Sequence, residues 1–151
     1  MKRALLLFIS GLLLAACAPT GAQGGSIRVE DAWSRPAAAG ANGAVYFTLR
    51  SGGAADRLVA ASSDVARAVE LHQTTIEGGV ARMAKVPSID VPAGGSVELK
   101  PGSYHVMLIG LNRELRNGDK FSLSLSFQSG ATSTVQVEVR GNAPASTHGG
   151  H

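Results

Sequence analysis

Cysteine is nearly missing from this chain: Cys17 is the single one among 151 residues. No disulfide can close within the chain, and a metal site built from several thiolates is excluded. Aromatic residues are scarce at 5%, and the basic residues are scattered, with no block and no aromatic stripe among them. Nucleic acid is therefore not the expected partner. Charged residues make up only 17% of the chain, while aliphatic residues are plentiful, so most of it is expected to fold. After residue 16 no apolar run is long enough to span a bilayer as a helix. There is no G-x-S-x-G element, no paired-carboxylate arrangement and no phosphate-loop context around the glycines, so an enzyme is not expected.

What is present begins with a leader. MKRALLLFISGLLLAAC carries Lys2 and Arg3, an apolar run from Ala4 to Leu14, then small residues. This is the layout of a secretory signal peptide over residues 1–16. Its end, Leu14-Ala15-Ala16-Cys17, resembles a bacterial lipobox, which implies cleavage before Cys17 and lipidation of that residue. An ordinary secretory signal with an incidental cysteine is the alternative. Export and lipidation together would leave the folded part without any thiol, so a soft metal ligand would have to be methionine. Of the fourteen Lys and Arg, two leave with the leader, so twelve stand against eleven acids and the formal charge drops from +3 to +1.

Residues 17–26, rich in Ala and Gly, read as a flexible tether. Beyond them come short segments rich in strand formers, separated by turn residues. These are Ile27–Trp33, Ala44–Arg50, Arg57–Ser62, Val69–Ile76, Val80–Val86, Ile89–Val91, Ser96–Lys100, Ser103–Leu111, Lys120–Phe127 and Thr132–Arg140. In KFSLSLSF the apolar residues Phe121, Leu123, Leu125 and Phe127 share one face; Val135, Val137 and Val139 do so in the next segment. Glu77-Gly78-Gly79 marks a hairpin turn, and Pro36–Asn42 a Pro/Ala/Gly loop. The pattern predicts eight or so strands in an all-β, antiparallel Greek-key β-sandwich, a single domain over residues 27–140. Residues 141–151 read as a disordered tail that contains histidines.

One constellation carries chemistry. His72 is followed by ten residues and then Met83; twenty-one residues later comes His105, and Met107 is next but one. His72 and Met83 fall on the two arms of the hairpin, where residue 72 should face the mid-eighties and Met83 lie near or diagonal to it. His105 and Met107 sit two apart in a strand and face the same side. Singly, each Met reads as core filler and His72 as a surface or half-buried strand residue. Jointly they use every methionine of the mature chain. Two imidazoles and two thioethers suit Cu(I), whereas Zn(II) prefers thiolate, imidazole and carboxylate, and Ca(II) or Mg(II) oxygen. A full donor set argues for carriage over catalysis.

The spacing of these four residues resembles the His/Met motif of the periplasmic copper chaperone family, PCuAC. So do GAVYFTLRSGGAADRLVAASSDVARAVELH, GGVARMAKV, VPAGGSVELKPGSYHVMLIGL and LRNGDKFSLSLSF. The likeness runs from about Ile27 to Arg140. It implies a cupredoxin-like sandwich, one Cu(I) held by His72, Met83, His105 and Met107, and delivery of copper to the dinuclear centre of cytochrome c oxidase subunit II. A thiol-containing copper assembly protein is a second expected partner, and the lipid on Cys17 would be the membrane contact. The chain is expected to act as a monomer in the cell envelope. Copper storage or resistance by sequestration is the alternative function. His148 and His151 end the chain as HGGH and allow two readings, a weaker second site for Cu(II) or a solvated tail without a role. Trp33 and Tyr46 read as core or rim residues, and Arg57, Glu70 and Arg113 as surface pairing only.

Overall fold

The computed structural model describes residues 26–141. The leader, Cys17, most of the tether, and His148 and His151 lie outside the described residues. Ten strands follow in order: β1 (Ile27–Ser34), β2 (Gly43–Ser51), β3 (Asp56–Ser62), β4 (Ala66–Glu77), β5 (Val80–Lys85), β6 (Ile89–Val91), β7 (Ser96–Leu99), β8 (Tyr104–Leu111), β9 (Lys120–Phe127) and β10 (Thr132–Val139). The described residues contain no α-helix. The all-β expectation holds, with ten strands where the turn spacing suggests eight or so.

The strands form one sheet in the order β5-β4-β8-β2-β1-β10-β9-β3-β6, with β7 paired to β2 off that path. Spatial neighbours are often distant in sequence, as Greek-key connections make them. One pair departs from the antiparallel expectation: β1 runs parallel to β10, with Trp33 beside Glu138. Alternation within a segment says which residues share a face but not the direction of its neighbour.

A single core draws on both halves of the sheet. Phe121, Leu123, Leu125 and Phe127 of β9 are all buried, as are Val45, Phe47 and Leu49 of β2, Leu71 of β4, and Val106 and Leu108 of β8. Burying each such side chain is worth about 1.5–3 kcal/mol, which sets the inward faces of these strands. Strand β8 is apolar on both faces because both are covered. Val106 and Leu108 face the core; His105 and Met107 point the other way. That outer face carries the candidate donors of β8.

Candidate metal centre

Strand β8 lies between β4 and β2. The β4–β8 ladder sets His72 directly opposite His105 and Glu70 opposite Met107. Because side chains alternate, all four project from the face that Leu71, Val106 and Leu108 do not use. The two imidazole rings lie 5.7 Å apart, centroid to centroid. Two histidines thirty-three positions apart thus meet as a cross-strand pair.

Each ring has one nitrogen held and one free. His105 Nδ1 lies 3.3 Å from the Ser103 carbonyl oxygen, which can only accept, so Nδ1 carries the proton and donates it. His72 Nε2 lies 3.0 Å from Glu70 Oε2 and donates to that carboxylate in the same way. The remaining nitrogens, His72 Nδ1 and His105 Nε2, are buried and have no hydrogen-bond partner. A buried, unpaired polar atom is costly. Two of them on adjacent rings, each with its tautomer set by an outer oxygen, form the arrangement that metal-binding histidines adopt. Burial pushes the His105 imidazole below its ordinary value, as does the His72 charge, while the Ser103 carbonyl opposes them. The ring is therefore neutral around pH 7, its lone pair available.

The thioethers approach from two strands. Gly78 and Gly79 have φ of 58° and 79°. They make the two-residue hairpin turn whose positive dihedrals glycine adopts without strain. This turn pairs Glu77 with Val80, and hence His72 with Lys85 and Thr74 with Met83. Met83 is the diagonal neighbour of His72 on the same face, a span of roughly 7–8 Å that a long side chain covers. A three-residue turn would have rotated Met83 to the opposite face. Met83 and Met107 line one surface pocket of about 240 Å³, together with Tyr46, Arg35, Gly43 and Ala44. Met107 is half-buried there; Met83 is 54% exposed.

The β1–β2 loop runs beside the end of β8, held by backbone bonds from Gly40 to Leu111 (2.8 Å), from Leu111 to Ala41 (2.8 Å) and from Ala37 to Leu115 (3.0 Å). Tyr46 of β2 stands 6.3 Å from the His105 ring, and Trp33 of β1 packs on Tyr46 at 4.8 Å. These aromatics leave His105 only 2% exposed. They are buried residues, as the sequence suggests, and they also seal the imidazole from water.

Glu70 differs from what its sequence position suggests. It is not a surface-pairing residue alone, for it accepts from His72 and, at 2.8 Å, from the Lys85 ammonium. These two partners, His72 first, hold its carboxyl below the usual carboxylate range. The signal was present in the sequence: Glu70 precedes His72 by two and so shares its face. Arg57 and Arg113 pair with Asp90 and Asp119 at the surface, at 2.6 and 3.2 Å. His148, His151 and Cys17 fall outside the described residues.

Comparison with known proteins bears on this geometry. Residues 27–139 match the family described as LpqE-like putative lipoproteins. A putative lipoprotein of Leifsonia xyli subsp. xyli is 34% identical over 141 residues, covering 91% of this chain and 85% of that one. The solution structure of CuI-DR1885 from Deinococcus radiodurans is 33% identical with a TM-score of 0.61, covering 82% of this chain and 84% of that one. The copper-bound PCuAC domain from PmoF2 shares the fold at a TM-score of 0.65 and 22% identity, over 78% of this chain and 95% of that one. The family resemblance read from the sequence and these likenesses coincide.

Proposed function

We propose that this chain, which belongs to the LpqE-like family of putative lipoproteins, is an extracytoplasmic carrier of Cu(I). His72 Nδ1, His105 Nε2 and the sulfurs of Met83 and Met107 are its ligands, and one ion is its cargo. The observation that carries this reading is the pair of buried, unpartnered ring nitrogens on facing strands, beside a pocket lined by two thioethers. Neutral nitrogen and sulfur donors without a thiolate favour the soft monovalent ion. The Cu(I)-bound DR1885 structure, 33% identical, supports the same ion.

Hand-over proceeds by ligand exchange. Met83 is the exposed ligand, so an incoming thiolate or imidazole displaces it first, and the three inner donors follow. Thiolate ligands bind Cu(I) more strongly than thioethers, so transfer to them runs downhill. The acceptor is the dinuclear copper domain of cytochrome c oxidase subunit II, or a thiol-bearing assembly protein that serves it. A lipid on Cys17 would hold the carrier at the membrane and raise the local concentration for that encounter. The C-terminal His148 and His151 are proposed as a second, weaker site for Cu(II), separate from the Cu(I) cargo.

Titration of the reduced mature chain with Cu(I) should show one tightly bound ion with sulfur in its X-ray absorption shell. Mixing the loaded chain with an apo subunit II copper domain should move that ion. Tight binding without transfer favours storage; no sulfur in the shell overturns the site. Truncation after Gly141 should abolish Cu(II) binding and leave Cu(I) binding intact.

A further inference from the structure

The candidate donors are imidazoles and thioethers, yet a carboxylate stands beside them. Glu70 lies two positions before His72 on the same face of β4, opposite Met107. A free carboxylate there would draw harder, divalent cations toward the pocket. It is not free. Oε2 takes the His72 Nε2 proton at 3.0 Å, and Oε1 takes Lys85 Nζ at 2.8 Å. Lys85 is the residue of β5 that faces His72. One carboxylate therefore ties together the imidazole and the edge strand that carries Met83.

We infer that Glu70 is a positioning residue: its carboxylate holds the His72 ring in the orientation and tautomer that leave Nδ1 buried, unprotonated and unpartnered opposite His105, with Lys85 occupying the second oxygen. This rests on the copper reading for its purpose but not for its geometry. An imidazole can rotate about its Cβ–Cγ bond at little cost. If it turned, Nδ1 would lose that buried, unpartnered position. An ionised carboxylate can only accept, so it keeps the proton on Nε2, and it makes the opposite nitrogen a better donor. Ser103 does the same for His105 through its carbonyl. The two rings are held by unlike acceptors, one a fixed backbone group and the other a side chain that needs its own anchor. With both oxygens engaged, Glu70 is a brace and not a further ligand.

Proton-detected nitrogen NMR of the copper-free chain tests this without any metal. In the native protein the His72 ring proton should be found on Nε2 and should exchange slowly with water. In Glu70→Leu that signal should vanish into fast exchange, while the His105 proton on Nδ1 is unchanged and serves as the control for folding. Glu70→Gln keeps a carbonyl acceptor and should restore the signal. In parallel, Glu70→Leu should weaken Cu(I) binding by about 10- to 100-fold, the usual effect of losing such a partner, with Glu70→Gln recovering most of it. A native His72 that carries its proton on Nδ1, or a signal that survives Glu70→Leu, overturns the inference even if that variant also binds copper poorly. The expected proton pattern in a protein that binds no Cu(I) sustains the brace and overturns the copper reading instead.

Discussion

The two methionines of the pocket stand in opposite settings. Met107 belongs to β8, flanked by β4 and β2, and is half-buried near the β1–β2 loop. Met83 belongs to β5, an edge strand whose six residues are all exposed and whose pairing is with β4. One thioether is part of the frame, the other stands at the rim. The histidines side with the frame. On the proposed reading, a carrier needs both kinds of ligand: buried donors to hold the geometry, and an accessible one to begin the release. An edge strand opens more readily than a central one, so the ligand proposed to exchange, Met83, stands where the sheet is loosest.

The strongest way to break this contrast is to empty the frame. His105→Leu removes the buried Nε2 lone pair with little change in bulk. It should weaken Cu(I) binding by more than about 100-fold, beyond the loss of an outer partner, as read by competition with a Cu(I) chelator. Thermal unfolding should show the fold intact; a variant that still binds tightly would put the ion elsewhere.

The methionines themselves come next. Met107→Leu should cost about tenfold or more in affinity, roughly 1.4 kcal/mol, and slow neither loading nor release. Met83→Leu should cost less at equilibrium but should alter the rate of transfer to a thiol acceptor, measured by stopped flow. Equal effects on both quantities from both variants would erase the distinction between frame and rim. A smaller and metal-free reading of the same contrast is oxidation. Dilute peroxide should convert Met83 to its sulfoxide several-fold faster than Met107, as exposure governs thioether oxidation. Peptide mass spectrometry follows both, and Cu(I) loading should slow the reaction at Met83.

The smallest effect lies outside the pocket and serves as the control. Burial raises the Asp56 carboxyl, but the Ser129 hydroxyl and the backbone N–H groups of Arg57 and Ser129 outweigh it and hold the group below its ordinary 3.8. A carboxyl lowered on folding adds stability above its unfolded value, and that stability is lost as pH falls through the folded one. Denaturant unfolding should therefore show native and Asp56→Asn chains converging as the solution is acidified below about pH 4. Copper binding should not change.

Much of the fold was legible because strand periodicity is local. KFSLSLSF is β9 to the residue, with its four apolar side chains buried. The Gly78-Gly79 turn was equally readable, and with it the facing of residue 72 and the mid-eighties, now Lys85. Other features left no local mark. The parallel pairing of β1 with β10 joins segments about a hundred residues apart. The seal of Trp33 and Tyr46 over His105 needs β1, β2 and β8 side by side. Glu70 shares the His72 face by its spacing alone, but its second partner, Lys85, comes from another strand.

Sequence by itself determined which side chains share a face and how the β4–β5 hairpin is registered, because alternation and a two-residue glycine turn act over a few bonds. Only the tertiary structure decided that β8 would lie against β4. That pairing is what brings His105 opposite His72 and leaves two lone pairs buried and unanswered. No local rule selects it; it follows from the way both faces of β8 are covered when the sheet closes over its core.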